Sequence, residues 1–197
     1  MSKSDLLFLL ALAAIPIQLG RHFFFDFSYV LGIPIDYRAL IIYASDIAVI
    51  LYLMFFFWGD RAKLKSIFKS LKTFIAVVIV FNTYLLADSL LFSVSYEASL
   101  IFVAKTIMFS LFAVASAVTL SKKGLAAKSA TLFKNLILIE SAILMSQFFL
   151  QKSLGLSFLG ERSFDTTTPS IAHADLFGNQ LLRPYGTFPH PNVAAAF

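Results

Sequence analysis

The sequence lacks cysteine and has few charged residues, which narrows the classes of protein it can encode. Without cysteine, disulfide bonds and thiolate metal sites are excluded. Charged residues make up 14% of the chain and apolar residues 59%, whereas average soluble chains carry about 25% charged residues. A soluble domain of 197 residues could not bury so much apolar surface. The composition therefore favours a helical membrane protein.

The chain contains several long apolar runs. They cover residues 6–19, 39–58, 73–91, 100–120 and 135–150. A bilayer span needs about 20 mostly apolar residues, so the runs predict an all-α fold. The expected architecture is a polytopic transmembrane helical bundle with about five complete spans plus the start of a sixth. It divides into a bundle over residues 1–151, a polar loop over 152–190 and an incomplete further helix over 191–197.

The first apolar run is short for a span, and two interpretations stay open. Ala11-Leu-Ala13 resembles a signal-peptidase site, so the run could be a cleaved signal peptide. The alternative, which we prefer, is a helix that Phe23-Phe24-Phe25 extend past Arg21 and His22.

Basic residues are concentrated in two connections between apolar runs, residues 61–72 and 122–134. Together with Lys3 these segments hold ten lysines and arginines, against five in the segments on the opposite side. Such an excess marks the cytoplasmic side of a membrane protein. We therefore expect a cytoplasmic N-terminus and an outward-facing 152–190 loop. The same placement argues that the net charge of +5 reflects topology rather than nucleic-acid binding.

Ionisable residues also occur inside the predicted spans, namely Asp46, Asp88 and Lys105. A charge near the centre of a span costs about 2.5–3.5 kcal/mol, and a pair of Lys105 with Asp88 or Asp46 would offset that cost. One interpretation is a polar cavity that admits a charged head group. The other is an internal ion pair or simple snorkelling to the interface. Glu140, near the inner end of its run, is expected to be a surface carboxylate.

A polar turn, Arg183-Pro-Tyr-Gly-Thr-Phe-Pro-His-Pro-Asn192, precedes the last apolar segment. Its prolines and Gly186 exclude a regular helix, and His190-Pro191 predicts a helix start. We expect His190 to cap that helix or to bond within the turn, with Asn192 and Thr187 as turn and cap residues. The helix is unfinished at Phe197, which suggests the front part of a longer membrane protein.

The same turn resembles the Arg-x-x-Gly-x-Phe-x-His-Pro-Asn turn of bacterial O-antigen ligase and O-antigen polymerase-like membrane proteins, which place it just before a transmembrane helix. The matching positions are Arg183, Gly186, Phe188, His190, Pro191 and Asn192. Residues 16–29, 32–38 and 43–46 look like the N-terminal part of that family, while the middle of the chain matches only as lipid-facing helix.

The resemblance implies an integral glycosyltransferase of the cytoplasmic membrane that uses no metal and no cofactor. Its partners would be a polyprenyl-diphosphate-linked glycan and a saccharide acceptor on the outer face. Arginine binds phosphate bidentately, so Arg183 is the first candidate for the diphosphate, followed by Arg162 and Arg38. The alternative for each is an interfacial arginine that pairs with lipid phosphates. No residue is assigned as catalytic, because the family's histidine lies in a later loop.

Two other functional classes remain open from the sequence. A transporter or flippase of lipid-linked saccharides also needs cationic cavities, but such proteins usually show internal repeats and broken spans. A non-catalytic membrane module is the third reading. Under the leading interpretation, this chain alone is expected to have no transferase activity.

Overall fold

A computed structural model of the chain describes residues 2–35, 38–59, 61–169 and 171–197, with the backbone alone over residues 61–70. Its helices are α1 (Lys3–Ala13), α2 (Ala44–Gly59), α3 (Arg61–Leu91), α4 (Tyr96–Leu120), α5 (Leu125–Leu150) and α6 (Pro191–Ala196). Its strands are β1 (Gly20–Phe23), β2 (Tyr29–Val30), β3 (Ile33–Pro34), β4 (Leu40–Tyr43), β5 (His173–Leu176) and β6 (Asn179–Leu182). They form three two-stranded sheets, β1 with β4, β2 with β3 and β5 with β6.

Three of the described helices are long and apolar enough to cross a membrane: Leu71–Leu91 within α3, together with α4 and α5. The prediction of five complete spans is therefore wrong in its count. Helix α1 has 11 residues and α2 has 16, so they rise about 16 and 24 Å, against about 30 Å of hydrocarbon. The chain is mostly helical, and its three long apolar helices indicate a membrane protein.

The expected extension of the first helix to Phe25 is also wrong. Helix α1 ends at Ala13, because Pro16 lacks an N–H group and its ring clashes with the preceding turn. The chain beyond it is extended, and β1 pairs with β4. The Ala44 N–H donates to the Leu19 carbonyl at 2.9 Å just outside this pairing.

The two basic connections are largely helical rather than loops. Backbone hydrogen bonding makes residues 61–91 one helix of 31 residues, and the lysine side chains before residue 71 lie outside the described part. Lys128 and Lys134 belong to α5, so only residues 121–124 form a turn. Lysine and arginine are good helix formers, so a charged segment at the end of an apolar run continues the helix. The predicted orientation of the N-terminus remains a prediction.

The chain forms two compact units. The first comprises Met1–Phe8, Arg21–Ile42 and Asp46–Ala126, and the second comprises Leu9–Gly20, Tyr43–Ser45 and Ala127–Phe197. In the first unit α3 packs against α4. Its largest fully buried side chains are aromatic and include Tyr52 and Phe8. The Tyr52 ring lies 5.4 Å from Phe8 and 5.6 Å from Phe112 between ring centroids. The Tyr52 and Thr119 hydroxyls, both buried, lie 2.6 Å apart and share a hydrogen bond.

An ion pair in the first unit joins the start of α1 to the turn after α4. The Nζ atom of Lys122 lies 2.6 Å from Oδ1 of Asp5. Burial disfavours the charged form of Asp5, but the hydrogen bonds from Lys122 and Ser2 outweigh it, and the pKa of Asp5 falls from 3.8 to about 2. Asp5 is therefore a charged group whose ionised form the fold stabilises.

We predict a pH-dependent contribution of Asp5 to stability. Because its pKa is lower in the folded state, the stabilisation is complete above about pH 5 and is lost as the pH falls from about 4 toward 2. Asp5→Asn should reduce the free energy of unfolding by about 1–2 kcal/mol at neutral pH, after allowance for solvent screening. Thermal unfolding in detergent across this pH range is the measurement, with the exposed Asp26→Asn as control. Identical pH profiles for Asp5→Asn and the unmodified chain would contradict the prediction.

Candidate functional site

The turn that carries the family-like residues is delivered by the β5–β6 hairpin of the second unit. His173 pairs with Leu182 in an antiparallel register. Phe177 and Gly178 both have positive φ, at 53° and 81°. A two-residue hairpin turn with positive φ at both positions has a twist that matches the twist of the two strands. The Arg183 N–H then donates to the Ala172 carbonyl at 2.9 Å. The hairpin therefore sets the position from which the turn begins.

An aromatic contact secures the hairpin and the turn together. Phe164, Ile171, Leu182 and Tyr185 form one buried hydrophobic cluster. The rings of Phe164 and Tyr185 lie 5.0 Å apart between centroids. The Tyr185 hydroxyl accepts a hydrogen bond from the Ala172 N–H at 2.9 Å. This ring therefore packs with the apolar cluster while its hydroxyl satisfies a backbone donor.

Gln147 of α5 binds the backbone of the turn directly. Its Oε1 accepts from the Tyr185 N–H at 2.9 Å and from the Gly186 N–H at 2.7 Å. Its Nε2 donates to the Gly186 carbonyl at 3.0 Å and to Oε1 of Glu161 at 2.8 Å. A carboxamide has two donors and two acceptor lone pairs, and all four are used by this fully buried side chain.

Glu161 extends the same network into the loop after α5. Its Oε1 also accepts from the Leu154 N–H at 2.6 Å, and its Oε2 accepts from the Leu156 N–H at 2.5 Å. The residue is buried. Three N–H donors directed at one carboxylate suit its ionised form, because an anion is an acceptor only.

Glu140 is buried rather than at the surface, which corrects the sequence prediction for it. Its Oε1 lies 2.7 Å from the Thr187 hydroxyl oxygen, and its Oε2 accepts from the Thr187 N–H at 3.3 Å. The Thr187 hydroxyl also lies 2.6 Å from the Pro16 carbonyl oxygen. Thr187 was expected to cap a backbone N–H, and it bonds a carboxyl group instead. The turn covers Glu140, which is why this side chain is not exposed.

Gly186 is required by two features of this contact. Its φ is +63°, which side chains with a Cβ rarely adopt. A Cβ at this position would also lie 2.8 Å from Oε2 of Glu140. The glycine of the motif therefore allows the turn to approach the buried carboxyl group.

Arg183 is half-buried at the start of the turn, and its guanidinium donates to Oδ1 of Asn192 at 2.8 Å. It lines a groove of about 380 Å³ whose wall is mainly apolar, with Leu144, Phe148, Leu176 and Pro191 among the lining residues. Asp175 also borders the groove. Arg183 thus places a positive charge at an apolar groove.

His190 is the N-cap of α6, as the His190-Pro191 pattern predicts. Its Nδ1 accepts from the Asn192 N–H at 3.1 Å, and Pro191 occupies the first helical position. Asn192 uses its side chain for Arg183 rather than for a backbone N–H. His190 also contacts the edge of the Tyr185 ring, with 6.3 Å between centroids.

The other diphosphate candidates, Arg162 and Arg38, are not among the described residues that line this groove. Arg162 is exposed and is not among the described residues that line the groove. Arg38 is half-buried in the first unit, where its carbonyl accepts from the Ser28 hydroxyl at 3.3 Å. Among the described residues, no group of three or more His, Asp or Glu side chains could hold a metal ion.

The charges within the predicted spans are partly paired in the first unit. Lys105 donates to Oδ2 of Asp46 at 2.7 Å and to the Ile41 carbonyl at 2.6 Å. Asp46 is buried, and Lys105 also lines an open cavity of about 510 Å³ with Phe102 and Ser110. Asp88 lies exposed on α3. Of the two partners considered for Lys105, the structure selects Asp46.

The spacing of the side chains that bind the turn can be seen in the sequence, although the overall composition does not reveal it. Glu140 and Gln147 are seven residues apart in the mostly apolar second half of α5. That spacing places them on one face of the helix. Gln151, just after the end of α5, adds a further contact, since its Oε1 accepts from the Leu182 N–H at 2.8 Å. Two polar side chains on one face of an apolar helical segment predict a polar partner, although they do not say which segment supplies it.

Comparison of the chain with protein-family models, with curated proteins and with solved structures finds no match in any of the three. The resemblance of the turn to O-antigen ligase and polymerase-like proteins therefore rests on its own residues and remains a prediction.

We predict that Gln147→Leu releases the turn. The substitution leaves the buried N–H groups of Tyr185 and Gly186 without their acceptor, which should cost about 3 kcal/mol or more. Hydrogen exchange at these two amides should accelerate by about 100-fold. Ser146→Ala is the matched control, because the half-buried Ser146 hydroxyl donates to the Ala142 carbonyl of its own helix. Unchanged exchange in Gln147→Leu would contradict the assigned role.

We also predict that Lys105 and Asp46 are energetically coupled. Lys105→Met leaves a buried carboxylate without this cation and should destabilise the chain by about 3 kcal/mol. The double variant with Asp46→Asn should lose less than the sum of the two single losses. Thermal unfolding of the four proteins gives the coupling energy, with the exposed Lys123→Met as control. If the stability losses of the two single variants add up to that of the double variant, Lys105 and Asp46 do not stabilise each other.

Proposed function

We propose that this chain belongs to an integral-membrane glycosyltransferase of the O-antigen ligase or polymerase type. Such an enzyme moves a glycan from a polyprenyl diphosphate to a sugar hydroxyl at the outer face of the cytoplasmic membrane. The proposal rests on the motif of the turn and, above all, on the position of Arg183 beside an apolar groove.

The groove offers two environments that a polyprenyl diphosphate needs. Apolar side chains such as Leu144 and Phe148 suit an isoprenoid chain, and the Arg183 guanidinium suits a phosphate. The contact with Asn192 uses one of the five N–H donors of the guanidinium. That contact also orients the planar group, so its other donors can meet phosphate oxygens in pairs.

Arg183 would act on the leaving group in the proposed reaction. The acceptor hydroxyl oxygen forms a bond to the anomeric carbon and loses its proton, while the bond from that carbon to the diphosphate oxygen breaks. The bonding electrons go to the diphosphate, where negative charge accumulates. A fixed guanidinium in a partly dry groove stabilises that charge without a metal ion. The base that takes the hydroxyl proton is not assigned to a residue of this chain.

The rigid seating of the turn supports this role. Thr187 contacts Glu140, ten residues before the end of α5 at Leu150, which is about 15 Å along the helix axis. In a bilayer crossed by α5, irregular backbone at that depth must have its polar groups satisfied within the protein. The contacts of Gln147 and Glu140 meet that requirement and hold Arg183 in a defined place.

We predict that Arg183 is needed to bind the lipid donor. Undecaprenyl diphosphate binding to the chain in lipid nanodiscs should weaken by about tenfold or more in Arg183→Gln, since a charge-assisted pair contributes about 1.5–3 kcal/mol. Arg183→Lys should also weaken it, because a point charge cannot bind phosphate bidentately. The exposed Arg162→Gln serves as the charge-matched control. Undecaprenol, which lacks phosphate, should bind all variants alike.

Equal binding of undecaprenyl diphosphate by Arg183→Gln and the unmodified chain would make Arg183 a lipid-interface residue. Glycan transfer tests the reaction itself: membranes containing the protein together with any further segments it needs should transfer a lipid-linked glycan, and Arg183→Lys should lose most of that activity.

A further inference from the structure

Three oxygen atoms in the second unit form a short chain whose protons can be counted. The Pro16 carbonyl oxygen lies 2.6 Å from the Thr187 hydroxyl oxygen, which lies 2.7 Å from Oε1 of Glu140. Both separations are those of O–H···O hydrogen bonds. Each bond needs one proton, so the chain of three oxygens needs two.

The Thr187 hydroxyl supplies only one of these protons. The Pro16 carbonyl oxygen is an acceptor and carries no proton, so the hydroxyl proton of Thr187 must point to it. The hydroxyl oxygen is then left as the acceptor of the second bond. An ionised carboxylate has no proton to offer and would face another oxygen at 2.7 Å with nothing between them.

We infer that Glu140 is a proton-binding site: it is held as a neutral carboxylic acid whose Oε1–H donates to the Thr187 hydroxyl. The second oxygen, Oε2, then serves as the acceptor of the Thr187 N–H. The acid and residue Thr187 satisfy each other through two contacts. The proton on Glu140 is thereby a structural component of the turn.

The surroundings of Glu140 differ from those of Glu161 in the way this assignment requires. Glu161 receives three N–H donors at 2.5–2.8 Å, whereas the N–H donor to Glu140 lies at 3.3 Å. Among the described residues, Glu140 takes part in no salt bridge. Glu161 is therefore surrounded by N–H donors, whereas Glu140 has one longer N–H contact and one hydroxyl oxygen at 2.7 Å.

The groups that contact Glu140 in the described part of the chain are uncharged. On its own helix, the residues three and four positions away are apolar: Leu136, Ile137, Ile143 and Leu144. On the turn it meets Gly186 and Thr187, and on the segment after α1 it is joined to Pro16 through Thr187. The titratable groups reached through the network are Glu161, by way of Gln147, and Tyr185, beside Gly186.

Loss of the proton would break the Oε1–H donor bond and leave the carboxylate and the Pro16 carbonyl competing for the single proton of the Thr187 hydroxyl. One of the two hydroxyl contacts would then be lost, and the segment from Tyr185 to Thr187 would loosen. Glu140 is therefore a positioning residue that couples proton occupancy to the turn. This coupling follows from the hydrogen bonds alone and does not require that the turn bind a lipid donor.

Infrared spectroscopy of the full chain in lipid nanodiscs tests the assignment. At neutral pH we expect a carbonyl band of a protonated carboxylic acid that shifts on exchange into D₂O. The band should be absent from Glu140→Gln and present in the control Glu161→Gln. In Thr187→Val the band should remain but move to higher frequency, because the acid loses its acceptor. Absence of the band from the unmodified chain, or its persistence in Glu140→Gln, would overturn the assignment.

Hydrogen exchange of the Tyr185, Gly186 and Thr187 amides provides the second readout. Glu140→Gln retains a donor and an acceptor of the same shape and should protect these amides as the unmodified chain does. Glu140→Ala should exchange roughly tenfold faster, because both contacts are lost. If Glu140→Gln exchanges as fast as Glu140→Ala, the proton site is excluded.

Discussion

The hydrogen bonds between the Gln147 carboxamide and the backbone of Tyr185 and Gly186 are the interaction on which the second unit depends. An irregular turn exposes backbone N–H and C=O groups that a helix would satisfy internally. Tyr185 and Gly186 are buried, so water does not satisfy these groups either. The Gln147 side chain, which has two donor hydrogens and two acceptor lone pairs, binds these backbone groups instead. The positions of Arg183, Thr187 and the α6 N-terminus all follow from it.

The two buried carboxyl groups on either side of Gln147 illustrate how hydrogen-bond partners determine the state of an acid. Glu161 is surrounded by N–H groups that stabilise a negative charge. Glu140 meets a hydroxyl group whose only proton is committed to the Pro16 carbonyl. Similar side chains in one network therefore have different roles. Glu161 anchors the loop after α5 by accepting three N–H groups, and Glu140 contributes a proton to the turn.

Two cationic side chains, Arg183 and Lys105, differ in their relation to the proposed function. The groove beside α5 combines aliphatic and aromatic walls with the guanidinium of Arg183, which is the combination that an amphiphilic phosphate requires. The Lys105–Asp46 pair belongs to the first unit, where it also binds the Ile41 carbonyl. That pair stabilises the start of α2 against α4, and the transferase proposal does not require it.

The sequence by itself determined the helical, membrane-compatible class, the helix start at His190-Pro191 and the need for a partner for Lys105. These follow from apolar run length, from proline at the first helical position and from the cost of an unpaired charge in an apolar segment. The end of α1 before Pro16 and the helical basic stretches have local causes that the length of an apolar run does not reveal. Only the tertiary structure decided that Glu140 is buried beneath the turn and that Lys105 pairs with Asp46. These two outcomes depend on contacts between segments far apart in the chain. Pro16 and Thr187, for example, are 171 residues apart and still share a hydrogen bond.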